Sequence, residues 1–167
     1  MRSSMRMAYG GVLTAVSVTL LLVASLSAAT GWGCCICAGM VPAVPLAKRQ
    51  VRVGLLIYVA TLLLSVLLVP VKRYVLAYML FFGFYPLVKY GIERLHRLVF
   101  EWAAKLGFAA ILGAVLWQFV RSGLLILGTR AAALPPLVLF AAYFAAFIFY
   151  DIIFSKIIAL FRVLFRA

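Results

Sequence analysis

The residues able to do chemistry are few. The acids are Glu93, Glu101 and Asp151, and the single histidine is His96. General acid–base catalysis needs a titratable group within hydrogen-bond reach of the proton it moves. Two of the three acids already have another use. Lys89, Glu93, Arg97, Glu101 and Lys105 follow one another at four-residue steps with alternating sign. On a helix such positions are neighbours, so the series predicts a ladder of ion pairs. His96, beside Arg97, reads as a solvated loop residue. No Ser/His/Asp arrangement, phosphate-binding loop or HExxH pattern occurs. The expectation is a protein that is not an enzyme and needs no cofactor. Cys34, Cys35 and Cys37 form an odd local cluster, unsuited to a disulfide framework. Structural zinc takes four ligands at defined spacing, and no histidine lies near these three. They are expected to be small packing residues, with no metal.

Two further groups stand out for their apolar surroundings. Asp151 interrupts a hydrophobic run just before Ser155 and Lys156. Ionisable groups at such positions are costly and often functional. Roughly 24 Å of helix separate it from Pro135, which places it near one membrane face. A structural partner such as Lys89 or Lys105 is expected for it. Trp117, Gln118 and Arg121 lie within another apolar run. Together with Trp32, Lys72, Arg73 and Arg130 they are candidates for an outward-facing pocket. Such a pocket would be cationic and its ligand an anionic or zwitterionic small molecule. The competing reading is that the basic side chains reach for lipid headgroups.

The elements that carry these residues are set by composition. Of 167 residues, 68% are hydrophobic and only 11% charged, against roughly 25% charged in an average soluble domain. Lipid is the solvent that such a chain suits. The predicted fold is all-α, a polytopic membrane helix bundle forming one domain over 1–167. Its spans fall at about 7–29, 33–47, 51–69, 74–88, 106–127 and 135–160. The first is long for a signal-peptide core and more membrane follows it, so it reads as a retained span. The second is short and carries Pro42 and Pro45. It is either a tilted span or a re-entrant piece buried in protein. The 89–105 ladder, with Ile92, Leu95, Val99 and Trp102 as an apolar stripe, is expected to be an amphipathic cytoplasmic segment.

The net charge of +13 would suggest nucleic acid in a soluble protein. Here the cations cluster between apolar runs, so topology explains them better and no nucleic-acid partner is expected. With six spans and both termini inside, twelve basic residues are cytoplasmic, among them Arg2, Arg6, Lys48, Arg49, Arg52 and Lys89. Four, Lys72, Arg73, Arg121 and Arg130, are external. That asymmetry obeys the positive-inside rule and predicts a multi-pass protein of the inner (cytoplasmic) membrane. Anionic lipid headgroups are the expected acidic partners.

The segment Met1 to Ala29 has a short basic leader and a run of small residues, with Thr14-Ala15-Val16-Ser17 where an alanine-rich stretch would stand. Gly11 and Ala15 are small residues at four-residue spacing, which lets helix backbones approach closely. Phe81-Phe82-Gly83-Phe84-Tyr85-Pro86-Leu87-Val88-Lys89 is an aromatic-Gly-aromatic-Pro stretch. With six spans in a chain of this length, these features resemble the substrate-binding S components of bacterial energy-coupling factor transporters. The resemblance implies a non-enzymatic subunit that captures a small molecule outside. It also implies that Gly11 and Ala15 dock a transmembrane coupling subunit whose ATPases supply the energy. The alternative expectation is a non-transporting membrane scaffold acting through its basic cytoplasmic face and the Lys89–Lys105 ladder.

Overall fold

A computed structural model describes residues 3–27, 30–92, 98–121 and 135–164. All regular structure among them is helical. Among the described residues five helices are long and apolar enough to cross a membrane: Met7–Leu26, Val51–Leu68, Lys72–Ile92, Phe100–Arg121 and Pro136–Ala159. The chain is thus an all-helical membrane protein. It divides into two compact units, Met1–Arg94 with Ile158–Ala167, and Leu95–Ile157.

The first unit holds α1 (Ser3–Leu26), α2 (Gly31–Met40), α3 (Ala43–Ala47), α4 (Val51–Leu68), α5 (Lys72–Ala77), a π-helical turn (Tyr78–Phe82) and α6 (Tyr85–Ile92). Its packing faces are small and polar, and its outward faces are large and apolar. On α4 the buried positions are Gly54, Ile57, Thr61 and Ser65. Leu55, Leu56, Leu63 and Leu67 point outward. The same holds on α1, where Thr14, Ser17, Val18, Leu21 and Ala24 are buried while Met7, Val12, Val16 and Leu26 are exposed. In lipid the tails are as apolar as leucine, so burial of large side chains does not drive association. Close backbone approach does, and small residues allow it.

The predicted short second span is the least lipid-like part of the unit. It forms two helices, α2 and α3, parted at Val41-Pro42. Cys35, Ala38, Gly39, Ala43, Pro45 and Leu46 are all buried. α2 packs back along α1, and α3 packs against α4 and α6. The Ser17 hydroxyl donates to the Ala38 carbonyl at 3.3 Å midway, and the Lys48 ammonium lies 5.3 Å from the Tyr9 ring centre. Segment 31–48 therefore returns the chain to the end of α1 where α1 began. α3 closes with Arg49 in the left-handed region, φ 58°, so that the Gln50 N–H reaches the Pro45 carbonyl at 2.9 Å. Glycine usually fills that position because it has no Cβ to strain. At the far end of α4 the Lys72 ammonium donates to the carbonyls of Val66 and Val69. It satisfies acceptors that a helix C-terminus leaves open.

Among its described residues the second unit is a helix pair, α7 (Leu98–Arg121) and α8 (Pro136–Leu164), with the last residues of α8 counted in the first unit. Pro136 opens α8, where its missing N–H costs nothing. The two helices run antiparallel. Lys105 meets Asp151 at one end, the Tyr143 hydroxyl donates to the Ala109 carbonyl at 3.1 Å, and Trp117 packs against Phe140 at the other. α7 begins eight residues earlier than the predicted span at 106, because Leu98–Lys105 continues the same helix. The final turn of α6 carries Lys89. Of the predicted ladder, Lys89 lies on α6 and Glu101 and Lys105 on α7, while Glu93 and Arg97 lie outside the described residues.

Candidate functional site

The first unit is organised around the π turn. A π turn carries one more residue per hydrogen-bonded loop than an α-helix, and such turns often occur at functional sites. Here the Gly83 N–H bonds back five residues to the Tyr78 carbonyl at 2.8 Å. The register change presents the Met79 carbonyl sideways, and the Tyr58 hydroxyl of α4 donates to it at 2.9 Å. Tyr58 also stacks on Tyr78, with ring centres 5.9 Å apart. Two glycines make room. A Cβ on Gly39 would fall 2.5 Å from both the Cβ and the carbonyl oxygen of Phe82. One on Gly83 would fall 2.6 Å from Cζ of Tyr78. Tyr58→Phe is expected to lower stability by about 1 kcal/mol, the worth of one such hydrogen bond. Thermal unfolding in mild detergent would measure it.

A line of polar and aromatic groups crosses this unit. At one end Trp32, 48% exposed, meets the edge of Tyr74 with ring centres 5.4 Å apart. The Arg73 guanidinium lies over the same ring at 5.0 Å. One helical turn further in is Tyr78, and both tyrosines are buried. The Cys35 thiol donates to the Tyr74 carbonyl at 3.5 Å. The Tyr78 hydroxyl lies beside Thr61 and Ser17. Both residues are fully buried, and neither hydroxyl meets a partner at ideal hydrogen-bond geometry.

In the second unit the Lys105 ammonium is held between two carboxylates, Glu101 at 2.8 Å and Asp151 at 3.0 Å. Lys105 and Asp151 are almost fully buried. Asp151 thus has the structural partner that was expected, one of the two residues named for it. Trp117 lines an apolar groove of about 160 Å³ with Gly113, Leu116, Phe140 and Tyr143. Gln118 and Arg121 are exposed.

The pocket candidates therefore fall into separate sets. Trp32 and Arg73 converge on Tyr74 in the first unit. Trp117, Gln118 and Arg121 belong to the second. Lys72 is occupied in capping α4. Gly11 and Ala15 lie on the exposed face of α1. Lys89 is buried, its ammonium 5.8 Å from the Tyr85 ring centre. Cys34 is half-buried, Cys35 buried and Cys37 exposed. Among the described residues no group of three or more His, Cys, Asp or Glu is placed to hold a metal. Glu93, His96, Arg97 and Arg130 lie outside the described residues.

Sequence reasoning passed over Thr61, Tyr78 and Tyr58. The available signal was the i, i+4 pair Thr61 and Ser65 in an otherwise aliphatic helix, which marks its packing face. Comparison with protein-family models, with curated proteins and with solved structures yields no match to this chain.

Proposed function

We propose that the chain is a small-molecule-binding membrane subunit of an ATP-driven uptake transporter of the energy-coupling factor type, and that its first unit captures the solute. The observation that carries this reading is the line from Trp32 and Arg73, through Tyr74, to the buried hydroxyls of Tyr78 and Thr61. Trp32 and Arg73 supply an aromatic face and a cation at an exposed end. Further in, Tyr78 and Thr61 supply hydrogen-bonding groups that carry no charge. That combination suits a solute with an acidic or polar end and a body able to stack on rings.

In this reading the protein spans the inner membrane six times, with 33–47 as the second crossing and both termini cytoplasmic. The return of segment 31–48 along α1 supports that count. It brings Lys48, Arg49 and Arg52 to the end where Arg2 and Arg6 lie in sequence, and leaves Trp32, Lys72 and Arg73 for the opposite, outer end. Gly11 and Ala15, exposed on α1, remain available to a transmembrane coupling subunit with its ATPases. The scaffold alternative relies on an outward-facing ladder. Lys105 is turned inward onto Asp151, which favours solute capture over it.

Binding of candidate solutes to protein in lipid nanodiscs tests the proposal. A solute that raises the unfolding midpoint is expected to lose affinity by about tenfold or more, 1.4 kcal/mol, on Trp32→Ala or Arg73→Ala. The midpoint of the unliganded protein should stay nearly constant, because both side chains are at the exposed end. Unchanged affinity in both variants would remove the first unit as the capture site.

A further inference from the structure

Charge is divided between the two ends of the second unit. At one end Lys105 is held by Glu101 and Asp151. No acid lies between Glu101 and Asp151 in sequence, so the other end carries positive charge only. There α7 closes on Arg121, which is exposed. The connection 122–134 adds Arg130 as its one charged residue. α8 starts at the same end, where the helix dipole contributes partial positive charge. Below Arg121 the apolar groove runs between the two helices. Gly113, Leu116, Trp117 and Val120 line it from α7, and Phe140 and Tyr143 from α8. Arg121 follows Trp117 by four residues, so it continues the face that lines the groove, one turn further out. Gly113 keeps the floor open to the rings, since a Cβ there would stand 3.2 Å from Cε1 of Tyr143. The Tyr143 hydroxyl is already spent on the Ala109 carbonyl, so the groove presents rings and aliphatic carbon under a cation.

We propose that this groove holds one acyl chain of an anionic phospholipid whose phosphate is bound by Arg121. The dimensions agree. From Gly113 to Arg121 is roughly 12 Å of helix, against roughly 15 Å of hydrocarbon in one leaflet. A chain lying in the groove therefore has its headgroup at the level of Arg121. A guanidinium meets two phosphate oxygens at once with paired N–H donors. Gln118, exposed three residues earlier, sits one step deeper, at the depth of the glycerol esters. A second copy of the chain is the poorer occupant. A two-fold contact through this face would bring two Arg121 ends together, with no acid there to compensate. Trp117, Gln118 and Arg121, expected from the sequence to serve a solute, thus serve a lipid. The inference rests on the groove and its charge, and stands whether or not the protein transports anything.

The test reads Trp117 fluorescence in vesicles of equal parts phosphatidylglycerol and phosphatidylcholine. Trp32→Phe and Trp102→Phe leave Trp117 as the only tryptophan. Bromine on an acyl chain quenches a nearby indole. It is placed on one lipid class at a time, so the charge of the membrane never changes. Brominated phosphatidylglycerol should occupy the groove about fivefold more strongly than brominated phosphatidylcholine, the pull of one arginine on an anionic headgroup. Arg121→Gln should abolish that preference and Arg121→Lys should keep most of it. Arg52→Gln removes another exposed charge, from the first unit, and should leave the preference unchanged. That control separates a local site from the attraction of a chain of charge +13 to any anionic surface. Native mass spectrometry of the lipid retained by the unsubstituted chain and by Arg121→Gln makes the same comparison without replacing a tryptophan. Equal quenching by the two lipids would show that the groove takes any chain, and would overturn the proposal. Absence of quenching by either would show that protein covers the groove, and would overturn it as well.

Discussion

Lys105→Met is expected to lower the stability of the purified protein by about 3–5 kcal/mol, the usual cost of removing one partner from a buried ion pair. At roughly 2–4 °C per kcal/mol for a chain of this size, that is a fall of about 6–20 °C in the unfolding midpoint. The reason lies in what remains. Lys105 pairs with both Glu101 at 2.8 Å and Asp151 at 3.0 Å, and Asp151 is almost fully buried. Without the ammonium two carboxylates face each other in an apolar helix pair, and charge repulsion adds to desolvation. Lys105→Arg keeps the charge and should cost far less. Lys105→Met with Asp151→Asn removes a cation and an anion together and should recover much of the loss. A midpoint unchanged in Lys105→Met would show that the pair contributes nothing to holding α7 on α8.

Gly39→Ala is the second large effect. Its Cβ would stand 2.5 Å from the Cβ, and as close to the carbonyl oxygen, of Phe82. The obstruction is partly backbone, so a rotamer change cannot relieve it. α2 must move off the π turn, at a cost of about 2–3 kcal/mol by the usual scale of overpacking. Gly39→Leu should prevent folding of the first unit. Gly11→Ala is the control. A Cβ there meets nothing within 4 Å, and alanine is the better helix former. It should be neutral or slightly stabilising. Equal effects at the two positions, measured by thermal unfolding in detergent, would contradict the close contact of α2 with the π turn.

The membrane class and most helix positions were legible because they depend on local composition. A run of apolar residues without charge needs no knowledge of its neighbours to be read as a span. Pro136 as a helix start was legible for the same reason. The ends of helices were harder. The stretch 98–105 carries charge and reads as part of an amphipathic cytoplasmic helix beside the span at 106, but Lys105 finds its acid on α8 and 98–105 is continuous with that span in α7. The π turn was not legible. Tyr78–Phe82 has no proline and no glycine inside it, and the shift depends on Gly39, Gly83 and Tyr58 from elsewhere in the fold. The buried hydroxyls were missed for a related reason. Thr61 looks like a tolerated polar residue in an aliphatic helix until Tyr78 and Ser17 are brought beside it. Asp151 was read correctly because a lone buried acid demands a partner, and few basic residues could reach it.

The central claim is that the chain captures a solute for an ATP-driven transporter. Its most direct test is to isolate tagged protein from its native host in mild detergent and analyse both the proteins and the small molecules it carries by mass spectrometry. The expected recovery is a transmembrane coupling subunit with ATPases, together with a small molecule that disappears in Trp32→Ala and Arg73→Ala. Well-folded protein that brings neither partner nor small molecule would contradict it.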